Sequence, residues 1–78
     1  MMTFDMDTTA DAVYVRVSDA QVFSTRELDP QRVVDYDEQG EIVGIEFLTV
    51  RRGVDLSGLP YREELARYFG EHQVGVFA

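Results

Sequence analysis

Ala10-Asp11-Ala12-Val13-Tyr14-Val15-Arg16-Val17 and Val33-Val34-Asp35-Tyr36-Asp37-Glu38-Gln39-Gly40-Glu41-Ile42-Val43-Gly44-Ile45-Glu46 decide the fold class. In the first stretch Val13, Val15 and Val17 alternate with Tyr14 and Arg16, the period of a half-buried strand. The second holds two strand-like runs about Asp37-Glu38-Gln39-Gly40. Asp opens a type I turn there, and Gly40 is placed to take the left-handed conformation that starts a bulge.

Working outward, Thr3 to Asp7 reads as a first strand, turned by Thr8-Thr9-Ala10-Asp11 into a second over Ala12 to Ser18. Gln21 to Leu28 is a third, more polar strand suited to an edge, broken at Asp29-Pro30 by the fixed φ of proline. Arg32 to Asp37 is the fourth. Glu41 to Val50 is the fifth, with Val43, Ile45 and Phe47 on one side and Ile42, Leu48 and Val50 on the other. A strand apolar on both sides is expected at the centre of a sheet, covered on both faces.

Residues 51 to 59 form a connection pinned by Val54, Leu56 and Leu59. A helix follows over 60 to 72, with Pro60 at its first position and Glu63 and Glu64 in its first turn. Tyr61, Leu65, Tyr68, Phe69 and His72 make its apolar stripe, and Gly70 weakens its end. Residues 74 to 78 are a last strand or a docked tail. The expected architecture is α+β: one domain over 1 to 78, an antiparallel sheet of about five strands, and one C-terminal helix packed on one face. One helix cannot cover two apolar sheet faces, so a homodimer that buries the second face or an edge is expected.

The chain has 78 residues and no cysteine, so no disulfide supports its small core. Its net charge is −8, from 15 acids against 7 bases, all of them arginine. Such a field repels phosphate backbones and favours a basic protein partner. Nucleic-acid binding would require Arg51, Arg52, Arg62 and Arg67 to share one face. The N-terminal residues lack a signal-peptide pattern and no apolar run is long enough to span a membrane, so a cytoplasmic protein without membrane attachment is expected.

Phe4-Asp5, Ala10 to Val15, Val34 to Asp37 and Gly40 to Glu46 resemble the YuzE-like small bacterial proteins, a domain of unknown function, DUF2283. The resemblance covers roughly residues 3 to 50, and the remainder looks like an extension found in some members. It implies no established activity, cofactor or catalytic residue. Some members sit beside small toxin-like proteins, which implies an antitoxin-like or other partner-binding role.

Three constellations could carry chemistry. Asp35, Asp37, Gln39, Gly40, Ile42 and Glu46 follow the spacing of a calcium-binding EF-hand loop, which makes Asp35, Asp37 and Glu46 the candidate metal ligands. That loop needs flanking helices, whereas Val33-Val34 and Ile45-Phe47 are strand formers, so the spacing reads as coincidence. Asp5, Asp7 and Asp11 gather near the first turn, where Asp11 is expected to bond its own backbone and the others to face solvent. His72 is the sole histidine and the only possible base for Ser18, Ser24 or Ser57, so no catalytic set forms. Tyr14, Arg16 and Tyr36, with Arg26 near them, have the composition of a protein interface. The sequence thus favours a non-enzymatic interaction module without cofactor, the alternative being a cation- or small-ligand-binding protein or enzyme using the acidic turn residues.

Overall fold

A computed structural model describes residues 2 to 77. Its elements are β1 (Thr3–Asp7), β2 (Ala12–Arg16), β3 (Ser24–Asp29), β4 (Arg32–Tyr36), β5 (Ile42–Leu48), a single 3-10 turn (Val50–Arg52), β6 (Val54–Asp55), α1 (Arg62–Glu71) and β7 (Val76–Phe77). The first five strands form one antiparallel sheet in the order β1-β2-β5-β4-β3. The fold is therefore α+β, with β5 at the centre.

The hairpin between β4 and β5 closes as its turn residues require. Gly40 stands at φ 81, its N–H donates to the Asp37 carbonyl, and the Asp37 carboxylate accepts the N–H groups of Gln39 and Glu41. The register slips between Asp35 and Tyr36, leaving Val43 as the extra residue of a bulge. That bulge corrects the expected two-sided apolar character of β5. Ile42 packs with the core and Val50 is buried in the 3-10 turn, while the opposite side of β5 presents Gly44, Glu46 and, as expected, Leu48. The second face sets Ala12, Val33 and Leu48 among its acids and is less apolar than expected.

The core lies under α1 and the connection. Val13, Val15, Val34, Ile45 and Phe47 from the sheet meet Leu56, Leu59, Leu65 and Phe69. Phe47 and Phe69 pack edge to face, their centroids 5.1 Å apart. On β1, Phe4 stacks on Tyr68 at 4.0 Å.

The helix begins at Arg62 rather than 60, because Tyr61 takes a left-handed conformation (φ 60) and leaves Pro60 outside it. Tyr61 is accordingly 46% exposed and leaves the expected stripe, which Leu65 and Phe69 carry with Tyr68 at its border. The helix ends in a Schellman motif: Val74 N–H donates to the Phe69 carbonyl and Gln73 N–H to that of Gly70, with Gln73 left-handed. The tail then pairs β7 parallel to β6, through Val54 N–H on the Gly75 carbonyl. Gly53, at φ 97, lets the Phe77 ring lie against the backbone, since a Cβ there would meet it at 2.5 Å. No helix among the described residues is long and apolar enough to cross a membrane.

Candidate functional site

The open sheet face is built by register. Residues opposite each other in antiparallel strands share a face, so one row runs Asp5, Tyr14, Glu46, Val33, Glu27 and the next runs Thr3, Arg16, Gly44, Asp35, Thr25. Asp7 continues the face beside Ala12. These strands thus present Asp5, Asp7, Glu27, Asp35 and Glu46 on the open side against Arg16.

A polar brace crosses this face. The Tyr14 side chain leaves β2, passes over β5 and donates its hydroxyl to Asp35 Oδ2 on β4 at 2.8 Å. The Thr25 hydroxyl on β3 donates to Asp35 Oδ1 at 2.6 Å. Four strands are tied by three side chains. Desolvation by burial, and then the hydrogen bond to Asp35, push the Tyr14 pKa up to about 12, so the phenol keeps its proton and remains the donor. The path of the ring explains Gly44: a Cβ there would meet Tyr14 Oη at 2.0 Å and Cζ at 2.4 Å. Glycine in a central strand marks close approach by a neighbour, and here the neighbour is the tyrosine ring.

This geometry yields a test. Gly44 has no positive φ, so alanine suits its backbone and the whole cost of Gly44→Ala comes from displacing Tyr14. Gly44→Ala is expected to lose about 1.5–3 kcal/mol, the worth of a hydrogen bond to a charged group. In a Tyr14→Ala background the same change should cost nothing or stabilise the strand. Urea unfolding of the double-mutant cycle measures the coupling; additive losses would contradict the crossing geometry.

The sequence candidates separate in space. Tyr14, Arg16, Asp35 and Glu46 share the open face, where Arg16 Nη2 also holds the Ala20 carbonyl at 3.1 Å. Tyr36 turns to the other side and packs against the core, so it leaves the expected interface patch. Arg26, opposite Val34, also lies on the far side. Asp37 stays in the turn as the acceptor of backbone N–H groups, away from the brace. No group of three or more His, Cys, Asp or Glu able to hold a metal occurs among the described residues.

Asp7, Asp11, Arg51 and His72 line a shallow cleft of about 310 Å³. Here the two aspartates exchange their expected roles. Asp7, not Asp11, closes the local turn by accepting the Ala10 N–H. Asp11, left-handed at φ 55, reaches forty residues ahead to the Arg51 N–H at 3.1 Å and pairs with the Arg51 guanidinium at 3.5 Å. His72 donates from Nδ1 to the Tyr68 carbonyl and lies 4.1 Å from the Tyr68 ring. Each of these polar groups already holds a structural bond. Arg51 and Arg52 are exposed on the 3-10 turn. Arg62 and Arg67 stand five residues apart on α1, about 140° around its axis.

Arg32 was not singled out from sequence. Its Nε donates to Asp29 at 2.9 Å, and its Nη1 donates to the carbonyls of Asp55 (3.1 Å) and Ser57 (2.7 Å). It thereby clamps the connection onto the sheet.

The structure defines a small α+β protein with one face under a helix and one open, acidic and braced face. The profile of the family described as "Protein of unknown function (DUF2283)" matches residues 4–51, and the chain belongs to that family. Nothing among the curated proteins and nothing among the solved structures matches it.

Proposed function

We propose that the protein is a non-enzymatic interaction module whose open sheet face docks a basic protein surface, as an antitoxin-like protein would dock a small basic partner. One observation carries this reading: the face left uncovered by α1 carries five acids, Asp5, Asp7, Glu27, Asp35 and Glu46, against Arg16. Opposite charge across an interface speeds encounter and selects the partner. The brace supports the same role, because Tyr14, Asp35 and Thr25 fix one another and present a rigid surface. Asp35 accepts two hydroxyl donors there.

The test is affinity capture from lysate of the native host at low and moderate salt, comparing the wild type with the pair Asp5→Lys and Glu46→Lys. A stoichiometric basic partner is expected, weakened about tenfold by the pair and by added salt. Recovery of the bait alone, or of a partner indifferent to both, would sink the proposal.

A further inference from the structure

We propose that the outer edge of β3 is a self-association site, where a second copy pairs antiparallel about a two-fold axis at Thr25 and joins two five-stranded sheets into one. Of the two edge strands, β1 and β3, an edge has unpaired backbone N–H and C=O groups that invite another strand. The exposed large apolar residues at this end of the sheet lie on the β3 segment: Phe23 is 68% exposed, and Val22 and Leu28 are each 40% exposed. The pairing of β3 with β4 already extends to Phe23, whose N–H donates to the Tyr36 carbonyl, and stops at the irregularity between Glu27 and Asp29. The usable ladder is therefore Phe23 to Glu27.

Charge fixes the register. A two-fold at Arg26 or at Glu27 sets like charges directly opposite, which destabilises a pair. One at Ser24 runs off the strand into Val22 and Gln21. The axis at Thr25 sets Thr25 against Thr25, Ser24 against Arg26 and Phe23 against Glu27, with no like-charged pair. It also brings Val22 of each copy beside Leu28 of the other and covers both. Strand β1 carries two acids, Asp5 and Asp7, and no base, and its large apolar residues Phe4 and Met6 pack against the core. Axes at Asp5 and at Met6 oppose acids directly; an axis at Phe4 leaves the two Asp5 carboxylates diagonal, as the Thr25 axis leaves the two Arg26 side chains, but it covers no exposed apolar residue comparable to Val22 and Leu28. Ser24 and Arg26 lie opposite Tyr36 and Val34, away from the open face, so changes at these two positions leave that face unaltered, while Thr25 and Glu27 of the same strand stand on it and the two surfaces adjoin.

Sedimentation equilibrium of the full chain, with Ser24→Arg, Ser24→Glu and the pair Ser24→Arg with Arg26→Glu, tests the register. The wild type is expected to dimerise, more tightly as salt screens the repulsion between two chains of charge −8. Binding of a basic partner has the opposite salt dependence. Ser24→Arg, which opposes two arginine pairs across the axis, should weaken the dimer about tenfold. Ser24→Glu should tighten it severalfold, and the charge-swapped pair should recover wild-type affinity or better. A wild-type monomer at about 100 μM, or a dimer indifferent to charge at position 24, would overturn the proposal without touching the partner-docking reading.

Discussion

Phe69→Ala is expected to cost about 3–5 kcal/mol, the range for truncating a buried aromatic side chain. A domain of 78 residues has a total stability of about 4–12 kcal/mol, so this one change consumes a large part of it. Phe69 is fully buried and touches the two rings that join helix to sheet, Phe47 at 5.1 Å and Tyr68 at 5.5 Å. The cavity would open between α1 and the central strand, where β5 is held on both sides by neighbours and cannot collapse onto the gap. The urea midpoint should fall steeply, while Phe69→Leu, which retains most of the volume, should lose only about 1–2 kcal/mol. A loss below about 1 kcal/mol for the alanine variant would mean that the helix does not seat on Phe47.

The size of that effect follows from how little else holds α1. The helix has ten residues, too few to persist alone in water. Its start at Tyr61 has no side-chain cap, and its C-terminal side chains include no base in the last turn to answer the dipole. Leu65, Phe69 and the Phe4–Tyr68 stack are its anchorage. If they fail, Val13, Val15, Ile45 and Phe47 are exposed on the face that the helix covers. The open face has no part in that exchange. Charge reversals at Asp5 and Glu46, which lie outside the brace, should therefore change binding while leaving stability nearly intact, which is the separation the partner test needs.

Local features of the chain were legible where local chemistry decided them. Alternation located β1 at Thr3–Asp7 and set the inward side of β2, and the Asp37 to Gly40 turn formed with its left-handed glycine. The central place of β5 was also readable, from the apolar residues expected on both its sides. Failures came where a single residue broke the local rule. The bulge at Val43 sent Ile42 to the core side, and a left-handed Tyr61 delayed the helix beyond Pro60. The long-range bonds left the weakest trace. Tyr14 and Asp35 are 21 residues apart, and no spacing rule joins residues in strands that are not neighbours. Gly44 was the one usable signal. A glycine within a central strand indicates that something crosses it, and that reading would have pointed to an aromatic on the adjacent strand.

Arg32→Ala is expected to cost about 3 kcal/mol, because four partners lose one side chain together. The guanidinium, 11% exposed, pairs with Asp29 at 2.9 Å and with Asp55 at 3.8 Å, and it donates to the carbonyls of Asp55 and Ser57. Those carbonyls lie on the connection that carries Val54, Leu56 and Leu59 into the core, so the loss should spread there first. Arg32→Lys should recover less than half, since a point-like ammonium cannot reproduce a planar fork that reaches both a carboxylate and two carbonyls. The acid dependence gives a second readout. At Asp29, burial raises the carboxyl pKa, but hydrogen bonds from Arg32 and the Gln31 N–H, with the Arg32 charge, outweigh it and hold the group below its usual value. At Asp55 the Ser57 N–H lowers it first, and the charge of Arg32 lowers it further. A depressed folded pKa contributes stability that is complete above the unfolded value, near pH 4, and is lost as pH falls through the folded one. The wild type and Arg32→Ala should therefore differ most near neutral pH and converge as the pH falls below about 4. They should not meet, because the bonds to the two carbonyls do not titrate. Urea unfolding from pH 7 to pH 3, with amide hydrogen exchange across β6 and β7, checks both parts. Parallel pH curves would mean that Arg32 acts through the carbonyls alone, and unchanged exchange at Val54 and Leu56 would mean that it does not clamp the connection at all.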